Sequence, residues 1–319
     1  VGLLNQGATC YLNSLVQALF MLPAVREKVF SFEFDADRHG AAETCVPLQL
    51  GVLFARLATS SLHALDTRAL TASFGWSQAE AFRQHDVQEL LAVLFDALEK
   101  YQCDVSSAFS GEMRPSVRCQ SCGYESARAE AFRDVQLDIG ESGSVEDAMR
   151  RYVAWERMEG EGTWKCEQCG ARNSAKGCAF TKLPPILTLH LKRFVFDMQT
   201  LRRKKLNHRV TFPATLDAAS LFRPPPLEAD GGDGDAGDVS DVYECVGVLV
   251  HSGTAHGGHY FALLRTGEEA AVACERPEDA IEAAIEAAAA TEAADGDAEA
   301  EWRAAQGLEA PSLDDQAAD

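Results

Sequence analysis

Apolar residues recur at helical spacing near the start of the chain. Leu12, Leu15, Val16, Leu19 and Phe20 share one face of a segment beginning near residue 10. Val87, Leu91, Leu94 and Leu98 repeat the pattern from residue 87 and predict a second amphipathic helix. From residue 109 the period shortens. Partial alternation over 131–139, 186–196, 243–250 and 259–264 predicts short strands. Helices grouped ahead of strands predict an α+β layout, and no internal repeat interrupts it. Arg202-Arg203-Lys204-Lys205 lies between two strand-like runs and reads as a solvated hairpin turn rather than a localisation or nucleic-acid patch.

Composition changes this picture at two places. Residues 224–241 open with three prolines and continue as an acidic, Gly-rich loop, and residues 266–319 are dominated by Ala, Glu and Asp. Part of that tail, 277–294, is helical on propensity. The chain of 319 residues carries 49 acids against 29 bases, a net charge of −20. Residues 228–241 hold six acids and no base, and 266–319 hold sixteen acids and two bases, Arg276 and Arg303. These contributions of −6 and −14 make up the whole excess, so the remaining 27 acids and 27 bases balance. The acidity belongs to two appendages. It argues against nucleic acid or an anionic membrane as a partner. No run of about 18 apolar residues is present to span a bilayer. The opening Val1-Gly2-Leu3-Leu4 has no initiator Met, so the chain reads as an excerpt of a longer protein.

Candidate chemistry begins at Cys10. It stands at the predicted start of the first helix, where unbonded N–H groups and the positive dipole end favour a thiolate. Gly7 permits close approach of the backbone to a ligand, and Asn5 can donate to a developing oxyanion. Taken alone, a Cys at a helix start reads first as a buried structural residue with Thr9 as the cap. The best base is in Val250-His251-Ser252-Gly253-Thr254-Ala255-His256-Gly257-Gly258-His259. There His259 starts a strand after a Ser-Gly-rich turn. A solvated loop histidine or a metal site is equally compatible with that spacing. Asp86-x-x-Glu89 ahead of Leu90, Leu91 and Leu94 has the form of a capping box.

Ten cysteines are too few for a disulfide scaffold, but four form two C-x-x-C pairs, Cys119/Cys122 and Cys166/Cys169, each followed by Gly. Two such knuckles can present four thiolates to one structural Zn, with no position left open for water. The 43 residues between the pairs exceed the usual zinc-ribbon gap of about 15–20, so an insertion is implied. Redox or disulfide chemistry fits the context less well. Cys45, Cys103, Cys178, Cys245 and Cys274 lack partner spacing and read as small core or surface residues. Trp155 and Trp164 read as packing residues.

Residues 2–19, Gly-Leu-Leu-Asn-Gln-Gly-Ala-Thr-Cys-Tyr-Leu-Asn-Ser-Leu-Val-Gln-Ala-Leu, closely resemble the Cys box of ubiquitin-specific proteases. The segment from Tyr243 to Leu264, with Gly257-Gly258-His259-Tyr260, resembles their His box. Gln84-His85-Asp86-Val87-Gln88-Glu89-Leu90 and Leu183-Pro184-Pro185-Ile186-Leu187-Thr188-Leu189-His190-Leu191-Lys192-Arg193-Phe194 are similar to the intermediate boxes, in the family's order. The resemblance covers 1–265. It implies a papain-like cysteine protease fold with a thumb (1–108), zinc-ribbon-like fingers (109–180) and a palm (181–265), followed by the poorly ordered acidic segment 266–319. It implies an intracellular deubiquitinase, in cytoplasm or nucleus, acting on ubiquitin and ubiquitinated proteins. The bond cut is the one after the C-terminal glycine of ubiquitin. By motif Cys10 is the nucleophile, His259 the general base and Asn5 an oxyanion donor. Asp86 and Glu89 match positions that bind the basic ubiquitin tail, and the four paired cysteines match the zinc ligands of the fingers. The pattern departs at the third triad member. Its expected place falls near Arg276, in Ala273-Cys274-Glu275-Arg276-Pro277-Glu278-Asp279, and Trp302 is not followed by the expected Asp. Asp314-Asp315 is a displaced match. That departure motivates a second reading, a catalytically weakened or inactive ubiquitin-binding pseudoprotease that keeps the fold and the zinc site.

Overall fold

The computed structural model describes residues 1–75, 86–140, 142–160, 163–222, 242–255 and 257–265. The acidic loop 224–241, the tail 266–319 with its expected helix, and Arg276, Trp302, Asp314, Asp315 and Cys274 lie outside the described residues. So do Gln84, His85 and His256.

The first part is helical. It contains α1 (Cys10–Phe20), α2 (Pro23–Phe30), α3 (Ala36–His39), α4 (Val46–Thr59), α5 (Arg68–Ser73) and α6 (Val87–Lys100). Proline in the first turn of α2 and of α4 costs nothing there, because those N–H groups have no helical partner. The predicted apolar faces are the buried ones. Leu12, Leu15, Val16 and Leu19 of α1 and Leu91, Leu94 and Leu98 of α6 meet Leu50 and Phe54 of α4 in one core. The Phe54 ring is edge-on to Phe20 at 5.4 Å and to Phe30 at 6.5 Å between centroids. Strand β1 (Gly2–Leu3) pairs parallel with β2 (Ala64–Leu65) and fixes the chain just ahead of Cys10.

The second part is built on strands. β3 (Gly111–Cys119) is the spine of a five-stranded sheet with β4 (Glu125–Ala127), β5 (Glu130–Phe132), β7 (Glu156–Met158) and β8 (Ser174–Lys182). β6 (Val135–Leu137) pairs parallel with β9 (Leu189–Leu191). The single strand expected over 131–139 is thus broken in two. The break falls where Arg133 pairs with Glu99 at 2.5 Å and Asp134 accepts from the Gln88 amide at 3.1 Å. Those contacts to α6 lead the chain from β3 to a new partner. A helix, α7 (Val145–Val153), interrupts the strand-rich half, where the sequence predicts strands from residue 109 onward. Its signals are local: the Ser144 hydroxyl accepts from Asp147 N–H, acids occupy the first turn and Arg150 and Arg151 the last. Val135, Leu137, Ile139, Met149 and Val153 form a second core with Leu216 and Phe222.

The remaining strands form hairpins and small pairs. β10 (Phe194–Asp197) and β11 (Arg202–Lys205) are antiparallel. The basic tetrad is therefore strand β11 itself, and the turn lies at 198–201, which corrects its reading as a turn. β12 (Thr215–Asp217) leads into the short helix α8 (Ala218–Leu221) and pairs with β13 (Val242–Glu244). β14 (Gly247–Thr254) and β15 (Gly257–Leu264) form a hairpin in which His251 faces Tyr260, Ser252 faces His259 and Gly253 faces Gly258. No helix among the described residues is long and apolar enough to cross a membrane.

Candidate active site

Cys10 is the first residue of α1 and is buried. The first helical bond runs from Asn13 N–H to Thr9 O, so the N–H groups of the opening turn have no helical acceptor. Thr9 occupies the cap position but its side chain makes no cap bond to the helix. Its hydroxyl accepts from Gln6 N–H at 3.0 Å and, with the Thr9 N–H, donates to Asn5 Oδ1. Asn5 Oδ1 is thereby engaged, and its Nδ2 is the end left to meet a substrate. Gly7 holds φ at 114°, in the region that favours glycine. Gln6 bonds Thr67 and Thr71 near the start of α5, which braces the loop from below. Asn13 ties α1 to the entering strand through Leu4 O at 2.9 Å.

The other wall is the hairpin. The Tyr260 N–H donates to Cys10 Sγ at 3.4 Å, joining residues 250 apart in sequence. An N–H so directed cannot also reach β14, so the outer edge of β15 lies against the start of α1. His259 directly precedes Tyr260 and is exposed, whereas Tyr260 is buried. Burial, then the charge of Asp86, pushes the Tyr260 hydroxyl well above its ordinary range. Tyr11, beside Cys10, is pushed up to about 12 by burial, with Cys10 adding to the effect.

Asp86 caps α6: its Oδ1 accepts from Gln88 N–H at 2.9 Å and lies 3.8 Å from His190 Nε2. Glu89 stands exposed in the same first turn. Asp86 thus caps the helix, while the reciprocal bond of a capping box, from the Asp86 N–H to Glu89, is not present among the described residues, and Glu89 leaves its carboxylate to solvent. His251 went unassigned in the sequence. Its ring packs on Tyr260 at 4.7 Å and meets the edge of Phe194 at 5.2 Å. Burial, then Lys205, lowers its affinity for a proton, while Asp86 opposes them. Lys205, also unassigned, donates to His251 O at 2.7 Å and Gly253 O at 3.2 Å. Spacing carried no signal for either residue, because both matter through contacts between hairpins.

The four paired cysteines meet at the far end of β3 and β8. Their sulfurs all lie within 4.8 Å of one another, with Cys119 to Cys169 at 3.7 Å and Cys122 to Cys166 at 3.6 Å. The knuckles are alike. Gly123 and Gly170 take φ of 76° and 71°, and each donates back to the first Cys of its pair at 2.9 Å. Burial raises the Cys119 thiol, but the Cys122 and Ser121 N–H groups outweigh it and hold it at about 6. Four convergent sulfurs, one favoured as thiolate, suit a soft tetrahedral cation. The nine described cysteines form no disulfide. The 43-residue gap contains β4 to β7 and α7, so the insertion supplies part of the second core. Cys45 and Cys103 are buried, while Cys178 and Cys245 are half-buried. Trp155 packs on Gly177, and Trp164 stacks on Tyr124 at 6.1 Å.

Comparison with known proteins bears on this arrangement. The family described as "Ubiquitin carboxyl-terminal hydrolase" matches residues 1–280. Ubiquitin carboxyl-terminal hydrolase 47 of Drosophila melanogaster is 38% identical over 334 residues, covering 83% of this chain and 21% of that protein. The human protein of the same name is 36% identical over 83% of this chain and 24% of its own length. Ubiquitin carboxyl-terminal hydrolase 15 of Saccharomyces cerevisiae is 37% identical over 84% of this chain and 22% of its own length. The chain thus spans less than a quarter of the length of these curated relatives. Among solved structures, the SAGA Ubp8/Sgf11/Sus1/Sgf73 DUB module bound to ubiquitin aldehyde superposes with a TM-score of 0.72 at 23% identity, covering 84% of this chain and 62% of that one.

Proposed function

The chain belongs to the ubiquitin carboxyl-terminal hydrolase family, and from that premise we propose that it is a thiol-dependent deubiquitinase. Its fold is the α+β cysteine protease fold of the ubiquitin-specific type. In this reading His259 takes the thiol proton of Cys10, and the thiolate attacks the carbonyl carbon of the C-terminal glycine of ubiquitin. The developing oxyanion meets Asn5 Nδ2 and the N–H groups at the start of α1, which form the positive end of the helix dipole. The amine leaves with the proton from His259, and water then hydrolyses the thioester. Asp86 and Glu89 attract the basic tail of the substrate. The observation that carries the reading is the Tyr260 N–H on Cys10 Sγ at 3.4 Å, since it sets the thiol beside the strand residue that follows His259.

Cys119, Cys122, Cys166 and Cys169 fit a structural zinc that ties β3 to β8. Such a site contributes folding energy and takes no part in the proton transfers. Reduced thiols in this number suit an intracellular protein, in cytoplasm or nucleus. A ubiquitin bearing a C-terminal thiol-reactive warhead tests the enzyme reading. A covalent adduct forms with the wild-type chain and not with Cys10→Ala. Tight ubiquitin binding without any Cys10-dependent adduct would establish the pseudoprotease instead.

A further inference from the structure

The β14–β15 hairpin is held from both sides. In an antiparallel pair, residues alternate between bonding across the ladder and pointing their N–H and C=O outward. Tyr260 points outward from β15 to Cys10. Its register partner His251 must then point outward from β14, and so must Gly253 two residues on. Those are the two carbonyls that Lys205 Nζ bonds, at 2.7 and 3.2 Å. They flank Ser252, the register partner of His259. Lys205 is itself the register partner of Phe194, whose ring meets the His251 ring. One register pair of β10–β11 therefore grips one residue of the β14–β15 hairpin by backbone and side chain together. The charged groups around the clamp are Arg193 and Asp86. A charged donor on a half-buried carbonyl makes a stronger bond than a neutral one.

We propose that Lys205 is a positioning residue for the Cys10–His259 pair, setting from the opposite edge of the hairpin how His259 stands relative to the thiol. The assignment rests on the reading of Cys10 and His259 as nucleophile and base. Gly253, at φ 132° and in close approach to Gly258, brings no side chain of its own to the Lys205 edge.

The test uses the full chain, Lys205→Met and Lys205→Arg. Hydrolysis of a fluorogenic ubiquitin amide gives kcat and KM, and iodoacetamide alkylation of Cys10 at neutral pH reads thiol activation without ubiquitin. Loss of the clamp in Lys205→Met lowers kcat about 10- to 100-fold, the cost of small misplacement of a catalytic group. KM stays within about twofold, and alkylation slows about fivefold or more. Lys205→Arg, which also donates to two carbonyls, recovers most of both losses. Should Lys205→Met not fold, Lys205→Gln, with its amide donor, shows the same split at smaller amplitude. The proposal is overturned by a kcat within twofold of wild type, or by equal losses in the Met and Arg variants with a lowered Tm. If the wild-type chain does not hydrolyse ubiquitin but Lys205→Met still slows alkylation, the deubiquitinase reading fails and Lys205 keeps its role. An active wild type with an unaffected Lys205→Met removes the assignment alone.

Discussion

Gly258 directly precedes His259, and a single methyl group there has a calculable consequence. A Cβ at Gly258 would lie 2.2 Å from Ser252 O, 2.5 Å from His251 Nε2 and 2.8 Å from His251 Cε1. Real Cβ contacts below 3.0 Å are essentially never seen. The backbone at 258 must therefore retreat about 1 Å from Ser252, and the His251 ring cannot yield freely between Phe194 and Tyr260. A shift of about 1 Å in a catalytic group can cost about 100-fold in rate, equivalent to about 2.7 kcal/mol. Overpacking adds a stability loss of about 1–3 kcal/mol. Gly258→Ala is expected to lower kcat/KM for a fluorogenic ubiquitin substrate about 100-fold at a temperature where the chain stays folded. Gly247→Ala in the same hairpin is the control. Its Cβ meets the flexible end of Leu264 at 2.8 Å and no backbone atom closer than 3.7 Å. Activity there should stay within about threefold of wild type, because a leucine tip can change rotamer. Wild-type turnover in Gly258→Ala would refute the claim that the hairpin has no room to move.

Two further outcomes follow from the same structure. Purified chain should contain about one zinc, and Cys119→Ser or strong chelation should lower Tm and increase proteolysis near the knuckle ends of β3 and β8, because the cation cross-links the two knuckles beyond the ladder that already pairs those strands. A metal-free chain with unchanged Tm would count against the site. The Tyr11 hydroxyl titrates near 12 in the folded state against 10.0 for the free group. The unfolded chain then loses its proton first, so stability present below pH 10 falls between pH 10 and 12. The loss is at most about 2–3 kcal/mol. Urea denaturation of Tyr11→Phe across that range should show a shallower fall than wild type, and parallel curves would count against the assignment.

Much of the fold is legible in the chain because its signals are local. The faces of α1 and α6 follow from apolar residues repeating at 3.6, and burial in a common core bears them out. The C-x-x-C-Gly knuckles are local too, since each needs only a glycine at positive φ and a tight turn. Where an element is short, a coarse reading passes over it. Helix α7 is announced by its cap, its end charges and the helical spacing of Val145, Ala148, Met149 and Val153, yet it stands within a run of strands. The strand over 131–139 breaks because Arg133 and Asp134 find partners on α6. The basic tetrad looks like a turn, yet it forms strand β11 because Phe194–Asp197 pairs with it.

The candidate site divides in the same way. The sequence alone determined that a cysteine stands at a helix start, that a carboxylate caps α6, and that a histidine follows two glycines on a strand, because caps, turns and periods are properties of a few consecutive residues. That strand begins at Gly257 and not at His259. Only the tertiary structure decided that Tyr260 reaches Cys10 across 250 residues, and that Lys205 and Phe194 grip the hairpin from its other edge. Which edge of a strand meets which helix depends on how two cores and two hairpins pack. No local pattern along the chain encodes that choice.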